Sequence, residues 1–346
     1  MDSKAPGKTS NTELKPSDFA SSQEVRWCPG CGDYAILKAV RKTMADVGAD
    51  PDNTLVISGI GCSSRFPYYM ETYGFHTIHG RAPAFATGVK LANPDLDVWM
   101  VTGDGDGLSI GGNHMLHVLR RNVDIQILLF NNEIYGLTKG QYSPTSRPGT
   151  RSPSSPTGSI EPSLNPCAFA LGAGARFIAR TVDTDQKRMP SILARAQQHK
   201  GASFVEIFQN CIVFNDKVFA DFTEKAVAKN RQLHVEDGKP MTFGPDAEFG
   251  VRRIPGGMAL EAVNMEEAGI SEGDLLVHDE KDHLLATMLV NKSGVDGFPI
   301  VLGIVYCDPM QSYDSQVSKQ VADAQETSPN ADMKELLFAG ATWSVT

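Results

Sequence analysis

Four short apolar runs, each followed by a turn rich in Gly, Asn or Asp, are the feature that most restricts the fold of this chain. The runs are Leu55–Ser58, Val98–Thr102, Ile125–Phe130 and Phe204–Phe208. Stretches of helical length separate them, which is the pattern of parallel strands joined by crossover helices. The sequence therefore predicts an α/β fold with a doubly wound parallel sheet. Open sheets of this kind bind ligands at the carboxyl ends of their strands.

The stretches around these runs complete the predicted organisation. Helices are expected at Asp33–Asp46, Pro83–Ala92, Asn113–Arg121 and Met189–Gln198. The Pro- and Ser-rich segment 143–166 is long for a loop inside a domain, which indicates a lid or a partner-facing segment; the alternative is a disordered surface insertion. We expect a mobile N-terminal arm over 1–24, a ligand-binding domain over 25–241 and a C-terminal extension over 242–346 that contacts another subunit.

Composition excludes several classes of function. The chain has 346 residues and a net charge of −9, so a nucleic acid is not its main partner, because phosphate binding needs a basic surface. No apolar run approaches the roughly 20 residues of a membrane-spanning helix. The polar N-terminus lacks the apolar core of a signal peptide, so a cytoplasmic location is expected.

The six cysteines fall into two groups. Cys28 and Cys31 form a C-x₂-C turn before a predicted helix, whose N-terminal dipole favours anionic thiolates. Cys62 and Cys211 each follow a predicted strand, which makes them the third and fourth candidate ligands. Taken alone, the C-x₂-C pair fits a redox dithiol, half of a zinc site or part of an iron–sulfur centre. The remaining two, Cys167 and Cys307, lie in apolar surroundings and are expected to be buried structural thiols.

A second group of polar residues follows the second and third runs. Asp104 and Asn132 come directly after them, so they are expected side by side at the edge of the sheet. Carboxylate and amide oxygens suit Mg²⁺, and Gly105 and Gly107 would let the backbone approach a diphosphate. Leu108 occupies the position of the third Gly of a dinucleotide fingerprint, which excludes that motif.

These motifs together resemble the β subunit of 2-oxoacid:ferredoxin oxidoreductases. The pattern at 103–105 and 131–132 resembles the G-D-G…N-N signature of thiamine diphosphate enzymes. The matching segments, in the family's order, are W-C-P-G-C-G at 27–32, G-I-G-C-S at 59–63, H-G-R at 79–81, G-D-G-D at 103–106, R-N at 121–122, N-N-x-x-Y-G-L-T at 131–138 and G-Q-x-S-P-T at 140–145. The resemblance extends from Trp27 to Cys211 and combines two independent cofactor signatures.

The resemblance implies a thiamine-diphosphate type of fold and a role for each matching residue. One 4Fe–4S cluster would be held by Cys28, Cys31, Cys62 and Cys211. Mg²⁺ would be held by Asp104, Asn132 and the carbonyl of Ile134. Thiamine diphosphate would be lined by Ile60, Gly61, Cys62, Ser63, Gly105, Asp106, Gly136, Leu137 and Thr138, with His79 near the reacting centre. Residues 25–241 would thus form the domain that binds both cofactors.

The implied activity is the coenzyme A-dependent oxidative decarboxylation of a 2-oxoacid, with ferredoxin as electron acceptor. Its reversal would be a carboxylation, as in a reductive TCA cycle. Thiamine catalysis needs a Glu that the family takes from an α subunit, so an (αβ)₂ assembly is expected and this chain alone should be inactive.

Two cations extend this interpretation to the substrates. Arg65 would bind the second carboxylate of 2-oxoglutarate bidentately, which favours that substrate; the alternative is an Arg that pairs with Glu71 or faces the partner subunit. Lys139 would meet the phosphates of coenzyme A, unless it is a solvated loop residue.

Other functions remain open at this stage. Within the family, these are enzymes for pyruvate, branched-chain or aryl 2-oxoacids. Outside it, they are a subunit of a non-redox thiamine decarboxylase or carboligase, and a zinc-stabilised interaction protein.

Overall fold

The computed structural model describes residues 14–327 and 332–345, and an eight-stranded sheet forms its centre. The strands are β1 Thr54–Ser58, β2 Tyr73–His76, β3 Asp97–Gly103, β4 Gln126–Asn131, β5 Ile134–Tyr135, β6 Gln141–Tyr142, β7 Phe177–Val182, β8 Ser203–Phe208, β9 Gln232–Val235, β10 Thr242–Phe243, β11 Phe249–Arg253, β12 Leu260–Asn264 and β13 Ile300–Cys307. The order in the central sheet is β2-β1-β3-β4-β8-β7-β13-β9. Strands β10 to β12 form a small antiparallel sheet, and β5 pairs with β6.

The first six strands of that order are parallel, which confirms the predicted sheet. Each of the four apolar runs forms a strand, with bounds shifted by at most one residue at each end. Since β1, β3, β4 and β8 are parallel neighbours, the turns that follow them lie along one edge of the sheet. This topology brings together the polar residues that the sequence separates widely.

Helices cover both faces of the sheet. They are α1 Asp33–Asp46, α2 Ala82–Ala92, α3 Gly112–Arg121, α4 Pro166–Gly172, α5 Met189–Gln198, α6 Ala220–Thr223, α7 Ala228–Arg231, α8 Met265–Ala268, α9 His283–Lys292, α10 Tyr313–Thr327 and α11 Met333–Phe338. Alternate strand residues enter opposite cores: Leu55 and Ile57 pack in the core that contains α2, α3, α4 and α9, whereas Val56 packs in the one that contains α1 and α5. The four predicted helices are all present, with two of them one residue longer at the N-terminus.

The prediction for 242–346 was a separate C-terminal extension, but the structure places part of this region in the central sheet. Strand β13 lies inside the central sheet, antiparallel to β7 and parallel to β9. Its residues Val301 and Val305 are fully buried in the core. The apolar run at 300–306 therefore belongs to the same domain as the first six strands. A domain boundary at 242 would divide a single sheet.

The predicted N-terminal arm falls partly outside the described residues, which begin at Leu14. From that point the chain lies against the domain. Phe19 is fully buried, Ala20 pairs with Met70, and Ser21 Oγ donates to the Tyr68 carbonyl oxygen at 2.7 Å. The expectation of a mobile arm up to residue 24 did not anticipate these contacts, because a single Phe in a polar segment gives no periodic signal.

The segment 143–166 is an ordered loop in the structure. Its own backbone hydrogen bonds, such as Gly149 N to the Ser159 carbonyl oxygen at 2.7 Å, close a compact turn. Ser143, Thr145 and Ser146 at its start are buried, and Asn165 near its end caps α4.

Within the part of the chain that the structure describes, no helix has the length and apolarity needed to cross a membrane.

Candidate functional site

A cavity of about 110 Å³ lies at the carboxyl ends of β1, β3 and β4, and we call it the strand-end cavity. Its walls come from the turns after these strands and from β5. The lining residues are Ile60, Gly61, Cys62, Ser63, His79, Gly103, Asp104, Gly105, Asp106, Asn132, Ile134, Tyr135, Gly136, Leu137 and Thr138. The structure thus brings together, around one space, every residue that the resemblance assigned to thiamine diphosphate and Mg²⁺.

Asp104 and Asn132 lie on one wall of this cavity and carry side-chain oxygen atoms. Asp104 is buried, and its Oδ2 accepts hydrogen bonds from Ser143 Oγ at 2.5 Å and Thr145 Oγ1 at 2.6 Å. Burial raises the pKa of Asp104 to about 6. Asn132 Oδ1 accepts from the Ile134 N–H at 3.2 Å. A carboxylate, an amide oxygen and a nearby backbone carbonyl form a donor set that fits Mg²⁺.

Both carboxylate oxygens of Asp106 accept hydrogen bonds from other residues of the chain. Its Oδ1 accepts from the backbone N–H groups of Ile60 at 3.1 Å and Gly80 at 2.7 Å, and its Oδ2 accepts from Thr102 Oγ1 at 2.6 Å. His79 Nδ1 also contacts Oδ1. The resemblance implied that Asp106 lines the cofactor, and it does line the cavity. Its hydrogen bonds show that it also holds two turns of the cavity and the His79 ring in place.

The two glycines expected at the diphosphate have different surroundings. A Cβ on Gly105 would lie 2.3 Å from Tyr135 Cε1, and Tyr135 OH donates to the Gly105 carbonyl oxygen at 2.8 Å, so this position requires Gly. Gly107 is buried against Thr102 and Met115 and does not line the cavity. The expectation that Gly107 approaches a diphosphate was therefore wrong: the glycine allows close packing of the π-helical turn at 106–110.

A second cavity, of about 290 Å³, is lined by all four candidate cysteines, and we call it the cysteine cavity. The N–H of Cys31 donates to the Cys28 carbonyl oxygen at 3.0 Å, which closes the C-x₂-C turn. Trp27 Nε1 donates to the Cys62 carbonyl oxygen at 2.7 Å and so fixes that turn beside the first. Cys211 enters from the turn after β8. Residues far apart in sequence thus face one space.

Two of these thiols, Cys31 and Cys62, are poorly placed to ionise without a positive centre. Burial raises the pKa of Cys62 to about 12 and that of Cys31 even further, and the negative charge of Asp33 also raises the pKa of both. Asp33 Oδ1 is itself buried without a partner. A cationic metal centre would offset these costs, because its ligands are thiolates. Among the residues described, no three His, Cys, Asp or Glu side chains are grouped closely enough to hold a single metal ion.

The two cavities adjoin each other. Cys62, Asn132, Gly136 and Leu137 line both of them. A Cβ on Gly136 would lie 3.5 Å from Cys62 Sγ and 3.6 Å from Cys211 Sγ. The wall between the spaces is therefore one residue thick at this point.

Arg65 and Lys139 line the cysteine cavity and do not line the strand-end cavity. Arg65 lies in the short helix Ser63–Tyr69, and its Nε donates to Tyr69 OH at 3.0 Å. The alternative partner Glu71 forms no ion pair with it. Lys139 is exposed and has a φ of 75°, in the left-handed region. Ser63 lines the strand-end cavity, so Arg65 is two residues away from it along the chain.

Sequence reasoning gave no role to several residues that hold the site. Ser143 and Thr145 bind Asp104, and Gln209 and Asn215 bind Asn132. The segment at 140–145 matched the family, but hydroxyl-bearing residues in a Pro-rich loop carry no signal of what they contact. The prediction for the other two thiols is confirmed: Cys167 and Cys307 are buried, and Cys167 Sγ donates to Glu206 Oε2 at 3.1 Å.

Comparison with known proteins gives consistent results. Residues 59–207 match the family model described as "Thiamine pyrophosphate enzyme, C-terminal TPP binding domain". The chain is 48% identical to the 2-oxoglutarate oxidoreductase subunit KorB of Mycobacterium tuberculosis, over 97% of this chain and 90% of that protein. It is 46% identical to subunit beta of 2-oxoacid:ferredoxin oxidoreductase 1 of Aeropyrum pernix, over 61% of this chain and 65% of that protein.

A solved structure is similar over nearly the whole chain. It is the 2-oxoglutarate:ferredoxin oxidoreductase from Magnetococcus marinus, with 2-oxoglutarate, coenzyme A and succinyl-CoA bound. The TM-score is 0.76 and the identity is 32%, over 97% of this chain and 98% of that one.

Proposed function

The chain belongs to the family of 2-oxoacid:ferredoxin oxidoreductase β subunits, and on that premise we propose that it binds thiamine diphosphate with Mg²⁺ and one 4Fe–4S cluster. With an α subunit it would convert 2-oxoglutarate and coenzyme A to succinyl-CoA and CO₂ while it reduces ferredoxin, or run this reaction in reverse. A cytoplasmic location agrees with thiols that must remain reduced.

The adjoining cavities are the observation that carries this proposal. One is lined by the residues of the thiamine diphosphate signature and the other by four cysteines, and both include Cys62 and Gly136. When bound, thiamine diphosphate supplies carbanion chemistry and an iron–sulfur cluster accepts single electrons. A non-redox thiamine enzyme has no need for a four-cysteine site against its cofactor pocket.

The residues of the chain would hold and shape this chemistry. Asp104, Asn132 and the Ile134 carbonyl would hold Mg²⁺. Cys28, Cys31, Cys62 and Cys211 would ligate the cluster. The contact of His79 Nδ1 with Asp106 fixes the ring, so that His79 can hold or move a proton through its other nitrogen, Nε2.

The choice of substrates rests on relatives and on two cations. The M. tuberculosis relative is named a 2-oxoglutarate oxidoreductase subunit, and the M. marinus structure holds 2-oxoglutarate and coenzyme A. We propose the same substrates here, with Arg65 as the partner of the distal carboxylate and Lys139 as that of the coenzyme A phosphates. Both cations line the cysteine cavity together with Cys62.

Anaerobic purification with the α subunit tests the proposal. We expect a broad visible absorption that bleaches with dithionite, four iron and four sulfide per αβ unit, bound thiamine diphosphate and 2-oxoglutarate-dependent reduction of ferredoxin. Zinc in place of iron would contradict the redox function. Iron with preferred turnover of pyruvate or branched 2-oxoacids would retain the family and reject the substrate.

A further inference from the structure

Gln209 touches both proposed centres. It follows β8 directly and is 1% exposed. Its Oε1 accepts a hydrogen bond from Asn132 Nδ2 at 2.7 Å. Its Nε2 donates to Cys31 Sγ at 3.3 Å and to the Asn210 carbonyl oxygen at 2.6 Å. One buried amide therefore joins a residue of the strand-end cavity to a thiol of the cysteine cavity.

The first of these bonds fixes the orientation of Asn132. An amide has one oxygen and one NH₂ group, and only the oxygen can bind a cation. Because Gln209 accepts from the NH₂ group, that group is turned toward β8 and Oδ1 toward the Ile134 N–H and the strand-end cavity. Without this acceptor, the bond from the Ile134 N–H alone would hold Oδ1 in place, and a flipped Asn132 would present N–H donors to Mg²⁺.

The second bond acts on the cluster side. Hydrogen bonds to the sulfurs that ligate an iron–sulfur cluster help to set its reduction potential, because they stabilise the more negative, reduced state. Among the described residues, Gln209 is the one whose side chain donates a hydrogen bond to Cys31 Sγ. The geometry is that of an N–H···S bond to a ligand, made by a neutral group.

We propose that Gln209 is a positioning residue shared by the two centres: it presents Asn132 Oδ1 to the diphosphate-bound metal and raises the cluster potential through Cys31. This inference rests on the proposed function. It adds a residue that the sequence motifs did not single out, and it links cofactor binding to electron acceptance through one side chain.

Two variants test the shared role. Gln209→Leu and Gln209→Met both remove the amide, and Met keeps the length and flexibility of Gln in case Leu does not fold. In the αβ enzyme we expect full iron content, a more negative midpoint potential in an EPR-monitored redox titration, and an apparent Kd for Mg²⁺ about tenfold higher in thiamine diphosphate binding. Saturating Mg²⁺ should restore thiamine diphosphate affinity but not the potential, which separates orientation of Asn132 from a general loss of stability.

Gln186→Leu is the matched control. Its amide, like that of Gln209, donates two hydrogen bonds, here to the carbonyl oxygens of Ala35 and Asp183, but it contacts neither centre. It should leave both quantities at the wild-type value. A Gln209 variant that shifts only one of the two quantities, or neither, overturns the shared role. If the wild-type enzyme itself lacks iron or Mg²⁺-dependent thiamine diphosphate binding, the proposed function fails, independently of Gln209.

Discussion

Individual cysteines of this chain differ in what surrounds them, and that difference is testable. Cys211 lines the cysteine cavity, whereas Cys167 is buried in the core and bonded to Glu206. We predict that Cys211→Ala abolishes the cluster, since a cubane needs all four ligands. Cys167→Ala and Cys307→Ser should keep iron and sulfide at the wild-type ratio. Full iron content in Cys211→Ala, measured on anaerobically purified αβ enzyme, would exclude Cys211 as a ligand.

Arg65 decides the substrate in the proposed function. A charge-assisted hydrogen bond to a carboxylate contributes about 1.5–3 kcal/mol, so Arg65→Ala should lower kcat/KM for 2-oxoglutarate about ten- to a hundredfold. Activity with pyruvate, which lacks the second carboxylate, should change little. Arg26→Ala, on the same cavity and paired with Glu24, is the control and should affect both substrates equally. An equal loss for both substrates in Arg65→Ala would show that Arg65 supports the cluster region instead.

His199 makes stability depend on pH. The ring is 5% exposed, both nitrogens lack partners, and burial lowers the pKa of His199 to about 4 from 6.5. The unfolded chain therefore binds a proton at His199 below about pH 6.5, whereas the folded chain binds it only below about pH 4. Stability is unaffected by this group above pH 6.5 and falls as pH drops through that window, by about 3 kcal/mol in total.

Replacing His199 isolates this effect. His199→Phe, which keeps an aromatic ring beside Phe177, should remove that part of the loss. The free energy of unfolding of variant and wild type is measured by denaturant titration at pH 7.5 and at pH 4. Between these two pH values, the difference between variant and wild type should change by about 3 kcal/mol in favour of the variant. His283→Phe, at an exposed position, should show no such difference. A constant difference at both pH values for His199→Phe would mean that the ring has other partners in solution.

At the scale of elements, the start of the loop 143–166 holds the Asp104 carboxylate, which is a proposed Mg²⁺ ligand, in place. Ser143 and Thr145 both donate to Asp104 Oδ2, which leaves Oδ1 for a cation. We predict that Thr145→Val raises the apparent Kd for Mg²⁺ about tenfold, since it removes a hydrogen bond to a charged group, and that excess Mg²⁺ restores thiamine diphosphate binding. Thr145→Ser should behave like the wild type. A Thr145→Val defect that Mg²⁺ does not correct would indicate a misfolded loop.

The elements also show what the sequence could predict. The strands β1, β3, β4 and β8 and the helices between them follow from apolar runs and helical periodicity, and parallel pairing then places Asp104 beside Asn132. The position of β13 between β7 and β9 depends on partners far away in sequence, so no local pattern indicates it. The same holds for Gln209 and Thr145, whose residue types are common and whose roles arise only from what the fold places against them.

At the scale of the whole molecule, the proposed function requires a partner chain to complete the strand-end cavity. Thiamine catalysis needs a carboxyl group that protonates the aminopyrimidine, and we propose that an α subunit supplies it. Among the described residues that line this cavity, the carboxylates are Asp104 and Asp106 alone. Asp104 faces the proposed metal, and Asp106 accepts hydrogen bonds on both oxygens. Neither is free for this role.

The isolated chain is therefore expected to bind its cofactors without catalysis. Purified alone under anaerobic conditions, it should contain iron, sulfide and Mg²⁺-dependent thiamine diphosphate, yet reduce viologen dyes with 2-oxoglutarate at less than about a thousandth of the αβ rate, the scale of effect of losing a general acid. Adding the α subunit should restore the rate. An α subunit with its active-site Glu replaced by Gln should bind the chain but restore nothing, which distinguishes the missing carboxyl group from simple stabilisation by assembly. Turnover by the isolated chain at a rate near that of αβ would mean that Asp104, Asp106 or a residue outside the described ranges supplies the proton.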